Sequence, residues 1–376
     1  MTGKTVSRRQ FLKHAGATAA LLGLSEAMIP QLAKALEELA AGKPPVIWIQ
    51  GQNCTGCSVS FLNSNYPGVA DLVLNKLSVR YHPNVMAGTG QTAVEAIDAT
   101  LKDMKGKYVL VVEGPVPTKE NGDFCTFGLG SGKKSLMGNE VPNDKPIQEW
   151  MNELVPGAAA VIANGNCASF GGIPGANSGV TGATPVPKIV AKIDSKKPVV
   201  NVGGCPSHPD WFVGTALEAL LFLQGKGKLN LNENNMSKTF FGQLIHENCE
   251  RRAAFDAGLF LEDWNDQSPD MALCMFKMGC KGPVTYADCP TRRWNSKVNW
   301  CVGANGPCHG CASPDFYQSL SPLYKPLPNV NLAGITPAVD TLGWVAAGAT
   351  AVGVGAHYLY KQLGEKPKES TEGGEK

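Results

Sequence analysis

The chain has 376 residues, with 34 Lys and Arg against 32 Asp and Glu and a formal net charge of only +2. That balance projects no field toward a polyanion and gives no reason to expect nucleic acid as a partner. With 43% hydrophobic residues, a chain of this length can bury a core without depending on disulfide staples.

The N-terminus reads MTGKTVSRRQFLKHAGATAALLGLSEA, with Arg8, Arg9 and Lys13 ahead of an Ala- and Gly-rich apolar run. Its S-R-R-x-F-L-K string is a twin-arginine export signal, so residues 1–42 are expected to be signal and linker, cleaved somewhere in the region of residues 30 to 43. That route carries folded proteins, which requires any cofactor to be inserted before export.

From Pro44 short apolar runs alternate with helical segments, the pattern of an α/β doubly wound parallel sheet with helices on both faces. Strands are predicted in PPVIWIQG, LSVRYH, KYVLVVEGPVP, AAAVIANGNC and KKPVVNVGGCP. Ala93, Ala96, Ile97, Leu101 and Met104 share one face of a predicted helix, and PDWFVGTALEALLFLQ supplies another. Phe124 to Asn143, rich in glycine and lysine, reads as a long loop. This first domain spans 43–225.

Beyond it, 226–325 is irregular, with many prolines and glycines and one periodic stretch around CERRAAFDAGLFLEDW. Such a region needs an organising element, and metal cross-linking distant loops would provide one. A linker at 326–340 leads to TLGWVAAGATAVGVGAHYLY, twenty residues without a charge. Residues 341–361 are expected to form a single transmembrane helix, with His357 as an interfacial residue. The tail 362–376 carries Lys366 and Lys368, and with Lys361 it should stay cytoplasmic.

Cysteine is the chain's most concentrated signal. Seven of twelve cysteines fall between His246 and Cys311. They divide into His246, Cys249, Cys274 and Cys280, and then Cys289, Cys301, Cys308 and Cys311. Upstream, Cys54, Cys57, Cys167 and Cys205 form a third set, leaving only Cys125. Cys54, Cys167 and Cys205 each follow a predicted strand, and open parallel sheets bind ligands beyond the carboxyl ends of their strands. Glycines accompany them at Gly51, Gly56, Gly165, Gly171, Gly172, Gly203 and Gly204, where backbone can approach a bulky inorganic group. Iron–sulfur clusters suit this ligand set. Disulfides, possible for an exported chain, and a four-thiolate zinc site from the two CxxC pairs are the alternatives.

These motifs resemble those of the small, electron-transferring subunit of membrane-bound, periplasmic nickel–iron hydrogenases. CTGCS, NGNCASFGG, VGGCPSHP, HENCERR, CMFKMGCKGP, ADCP and PCHGC carry the resemblance across the chain. It implies a flavodoxin-like first domain with a proximal 4Fe–4S cluster on Cys54, Cys57, Cys167 and Cys205. It implies a distal 4Fe–4S cluster on His246, Cys249, Cys274 and Cys280, and a medial cluster on Cys289, Cys308 and Cys311. Many members have proline where this chain has Cys301, so a medial 4Fe–4S cluster is expected if Cys301 ligates and 3Fe–4S otherwise. Asn53 stands where a glutamate often precedes the first cysteine pair, which puts the usual proton-relay carboxylate in doubt. Gly56 and Gly172 stand where oxygen-tolerant relatives carry extra thiols, so the chain resembles the oxygen-sensitive type.

The resemblance implies no catalytic residue in this chain. Hydrogen would be split by a large subunit holding the nickel–iron site, and electrons would leave for a membrane acceptor feeding the quinone pool. That acceptor would be a cytochrome b, or a ferredoxin-like protein with an integral quinone-reactive subunit, at the periplasmic face of the inner membrane. The rivals are a binding or sensory module with disulfides and an electron-transfer subunit of another respiratory complex; the cysteine-rich region from His246 onward argues against both.

Overall fold

The computed structural model describes residues 44–65, 67–176, 179–225, 227–266, 272–317, 348–358 and 360. The chain divides into two compact units, Met1–Pro326 and Leu327–Lys376.

In the first unit five parallel strands form one sheet: β1 (Pro45–Gln50), β2 (Ser78–Tyr81), β3 (Val109–Glu113), β6 (Ala160–Asn164) and β7 (Val199–Val202). They lie in the order β2-β1-β3-β6-β7, which is the flavodoxin-like arrangement expected from the sequence. The chain reverses its direction of progress between β1 and β3, so the crevice at their carboxyl ends is the natural ligand position. Register pairing sets Gln50, Glu113, Asn164 and Val202 abreast along that edge.

Both faces of the sheet are buried, which explains why its strands are runs of Val, Ile and Ala rather than alternating patterns. On one face Val46, Trp48, Val109, Val111 and Ile162 pack against Phe61 of α1 (Gly56–Leu62) and against Trp211, Phe212, Leu217 and Leu221 of α6 (Pro209–Leu223). On the other face Ile47, Ile49, Leu110, Val112 and Val161 meet three helices. These are α2 (Gly90–Asp103), α3 (Ile147–Gly157) and α5 (Val186–Ile193). Helix α6 starts cleanly because His208 accepts a hydrogen bond from the Asp210 N–H at 3.0 Å and Pro209 occupies the first turn.

Phe124 to Asn143 is not the expected loop. Residues Thr126–Leu136 (β4) and Asn139–Pro146 (β5) form an antiparallel hairpin. Its two-residue turn places Met137 and Gly138 at positive φ, matching the twist of the flanking strands. The hairpin is anchored at its base, where Phe127 stacks on Trp150 of α3 at 5.1 Å and its carbonyl accepts the indole N–H at 2.9 Å. Exposed polar strands of this kind lack the apolar alternation that signals a strand.

Beyond residue 227 regular elements are short. The periodic stretch around Cys249 yields only α7 (Arg252–Asp256), and α8 (Cys289–Arg292) is a single turn. This region shares its core with the sheet domain, because Met275, Ala287, Cys289, Trp300, Val302 and Cys308 belong to the same buried cluster as Val202, Trp211 and Phe240.

In the second unit residues 348–358 and 360 are helical and exposed. Among the described residues no helix is long and apolar enough to cross a membrane. The rest of the expected span 341–361, the signal at 1–42 and the tail at 362–376 lie outside the described residues.

Candidate metal centres

Cys54, Cys57, Cys167 and Cys205 lie at the carboxyl edge of the sheet. Cys54 and Cys57 follow β1, separated by Thr55 and Gly56, and Thr55 in a left-handed conformation (φ 65°) turns the chain into α1. Cys167 lies in α4 (Gly165–Phe170) and Cys205 follows β7. The four thiols act on one another electrostatically, Cys57 with Cys167, and Cys54, Cys167 and Cys205 in turn. Glycine is required beside them: a Cβ on Gly165 would stand 2.4 Å from the Cys57 sulfur, and one on Gly172 would stand 2.8 Å from that of Cys167. The Ser207 N–H approaches the Cys57 sulfur at 3.5 Å.

Glu113 closes the back of this site. It is 2% exposed and accepts from Ser58 Oγ at 2.5 Å, Cys57 N–H at 3.1 Å, Trp48 Nε1 at 3.2 Å and Ser58 N–H at 3.3 Å. Its negative charge adds to burial in resisting ionisation of Cys57.

His246, Cys249, Cys274 and Cys280 line one apolar pocket together with Phe255 and Phe276. The Arg251 N–H points at the Cys249 sulfur at 3.4 Å. The His246 ring lies edge-to-face on Phe255, 4.4 Å between centroids.

Cys289, Cys308 and Cys311 line a cleft of about 410 Å³, and Cys301 lines it too. Cys289 and Cys308 are buried, whereas Cys301 sits at the exposed rim. The Gly310 N–H reaches the Cys308 sulfur at 3.4 Å. A direct hydrogen bond joins this group to the second, Cys308 N–H to the Cys280 sulfur at 3.3 Å, and Cys205 of the first group lines the same cleft. The buried Asn166 amide reinforces the second link, donating to Cys311 O at 3.1 Å and Ser313 O at 2.7 Å. The three groups therefore form a series, with the Cys289–Cys311 group in the middle.

None of the twelve cysteines is paired in a disulfide in this structure. Among the described residues no three Cys, His, Asp or Glu side chains converge as the ligands of a single ion would. Zn–S bonds of about 2.3 Å hold tetrahedral thiolates about 4 Å apart, whereas a four-iron cube spreads them wider. Burial pushes the thiols up, to about 12 at Cys167 and Cys311, and well above the usual range at Cys289 and Cys308. Ligated iron would displace those protons and make such burial stable. Backbone N–H groups aimed at sulfur, clearances only glycine gives and grouped thiols together fit iron–sulfur clusters. Cys125 stands apart, its thiol 3.7 Å from Gln50 O.

Residues 241–324 match the family profile for the C-terminal part of the NiFe/NiFeSe hydrogenase small subunit. Residues 54–219 match that of the NADH ubiquinone oxidoreductase, 20 Kd subunit, and residues 5–25 the TAT (twin-arginine translocation) pathway signal sequence. The chain is 39% identical over 323 residues to the periplasmic NiFeSe hydrogenase small subunit of Desulfomicrobium baculatum, covering 85% of this chain and 99% of that protein. It belongs to the nickel–iron hydrogenase small subunits. It is also 36% identical over 367 residues to the quinone-reactive Ni/Fe-hydrogenase small chain of Wolinella succinogenes, covering 96% and 97% of the two. The fold matches the NiFeSe hydrogenase of Desulfovibrio vulgaris Hildenborough with a TM-score of 0.68 and 42% identity, over 76% of this chain and 99% of that one. This hydrogenase small subunit is thus the electron-transfer chain of a heterodimeric oxidoreductase, with a signal for export to the periplasm.

Sequence reasoning missed Glu113, Asn166 and the buried Arg251, Lys281 and Arg292 of this small subunit. A carboxylate ending the apolar run VLVVE was the one available sign, because a charge there needs buried partners.

Proposed function

We propose that electrons from hydrogen oxidation at the large subunit enter this chain at Cys54, Cys57, Cys167 and Cys205 and leave it at the His246 end. The first group would hold a proximal 4Fe–4S cluster and His246, Cys249, Cys274 and Cys280 a distal one. Cys289, Cys301, Cys308 and Cys311 would hold a medial 4Fe–4S cluster. When bound, such clusters supply one-electron carriers. The observation that carries the reading is the series of three thiol groups, whose middle member is hydrogen-bonded to the second through Cys308 N–H and the Cys280 sulfur and shares its cleft with Cys205 of the first.

The protein's own part is to position, insulate and tune. Buried Trp48, Phe61 and Phe212 surround the first group's supporting face, and N–H donors on sulfur favour the reduced, more negative state. Cys54 is exposed, as are Val59 and Leu62 on α1 and Ile173 just after Cys167. An apolar rim around an open thiol group suits coverage by the large subunit. At the other end His246 contributes a neutral ligand where thiolate would be anionic.

The relative from Wolinella is named quinone-reactive, and by that likeness the acceptor here is a membrane partner feeding quinone, with residues 341–361 as the anchor. Anaerobic purification from membranes should yield about a dozen irons per chain, matching acid-labile sulfide, and nickel from a co-purifying large subunit. Iron without nickel would assign the relay to another complex, and absence of iron would overturn it. Truncation after Asp340 should release the loaded heterodimer into the soluble periplasm; retention on the membrane would refute the anchor.

A further inference from the structure

Lys281 is a buried cation between the second and third thiol groups. It is 3% exposed and directly follows Cys280, and its backbone N–H donates to Cys308 O at 2.7 Å. Its carbonyl accepts from Thr285 Oγ1 at 2.7 Å and its Nζ donates to Gly279 O at 2.7 Å. The backbone on either side of the ammonium is therefore pinned, and the sulfurs of Cys280 and Cys308 both act on its charge.

Burying an ammonium costs several kcal/mol unless negative charge stands close by. Thiolate-ligated clusters would supply that charge from both sides. Arg251 is also buried, and its charge acts on Cys249 and Cys274 of the second group. Its guanidinium reaches Leu273 O at 2.7 Å, Val302 O at 3.3 Å and the Asn305 side chain, so it ties loops together.

We propose that Lys281 is a positioning residue whose fixed positive charge raises the reduction potentials of the medial and distal clusters together. This rests on the assignment of those two sites given above. A cation beside a cluster stabilises the state with the extra electron. One cation shared by two neighbours moves both potentials in the same direction.

The test is a redox titration followed by electron paramagnetic resonance, with iron counts, on the purified heterodimer carrying Lys281→Gln or Lys281→Arg. With full iron, K281Q should shift the medial and distal reduction equilibria at least tenfold toward the oxidised state, about 59 mV for one electron. The proximal potential should not move, and K281R should keep wild-type values. Full iron with unchanged potentials in K281Q, or an equal shift in K281R, overturns the proposal. Should K281Q fail to load iron, K281R decides: loaded with wild-type potentials it supports the role, loaded with lowered potentials it refutes it. Wild-type protein without iron would instead bring down the site assignment itself.

Discussion

The backbone N–H of Cys308 donates to the sulfur of Cys280 across 3.3 Å, so a ligand candidate of one site is held by the main chain of the next. Three residues on, Cys311 shares its cleft with Cys205 of the first group, and its carbonyl accepts from the Asn166 amide at 3.1 Å. A single loop, Cys308-His309-Gly310-Cys311, thus touches both neighbouring thiol groups. Gly310 at φ 75° lets it turn tightly enough to do so. Spacing between the second and third groups thus rests on a main-chain hydrogen bond, which is less easily altered by substitution than a side-chain contact.

Cys301 shares the cleft of Cys289, Cys308 and Cys311, and removing its thiol should leave three ligands. Cys301→Ala is expected to lose about one iron per chain and to show an intense oxidised 3Fe–4S resonance that the anaerobic wild type lacks. The medial potential should rise. An unchanged spectrum with unchanged iron would mean that Cys301 is no ligand.

Glu113 accepts from Cys57, Ser58 and Trp48 in the interior. Glu113→Ala would leave those donors unpaired, at a cost of roughly 3 kcal/mol or more, since each unsatisfied buried donor costs about 1–3 kcal/mol. Glu113→Gln keeps one acceptor and should cost less. Unfolding midpoints of the loaded heterodimer would rank them; equal midpoints would show that the network carries no stability.

Burial pushes the imidazoles of His82 and His208 down to about 4 from an ordinary 6.5. The folded state therefore holds fewer protons than the unfolded one between these values. The stabilisation is complete above about pH 6.5 and is lost as pH falls through 4, on the order of 3 kcal/mol for each histidine. His208→Asn, which preserves an acceptor for the Asp210 N–H, should flatten the fall in melting temperature between pH 7 and pH 4.5. An equally steep fall in the variant would remove His208 from the account.

Arg292 is buried against Asp210 at 3.0 Å and Asp288 at 2.8 Å, bracing α8 and its Cys289 against the start of α6. Arg292→Met would strand two carboxylates and cost about 3–5 kcal/mol. Adding Asp210→Asn and Asp288→Asn should recover most of that loss. Denaturant midpoints of the single and triple variants provide the check, and a triple variant no more stable than the single one would contradict it.

Local pattern carried much of this protein into view. The apolar runs ending at Gln50, Glu113, Asn164 and Val202 announced buried parallel strands, because such strands are apolar on both faces. Cysteines just past three of those ends announced the site, because parallel strands all point their carboxyl ends to one edge. The hairpin from Thr126 to Pro146 left no such trace. Its strands are polar and largely exposed, and its pairing depends on a turn at Met137 and Gly138 and on the Phe127–Trp150 stack.

Residue types and spacings within single segments were thus set by the sequence: the export string, the thiol motifs, and the assignment of Cys301 to the group around Cys308. What the tertiary structure alone decided is which distant segments meet. That Cys308 binds the Cys280 sulfur, that Glu113 closes the site of Cys57, and that Lys281 lies buried between two thiol groups depend on packing across tens of residues. No periodicity records such contacts, because the cost of burying each charge or donor is met by partners from elsewhere in the chain.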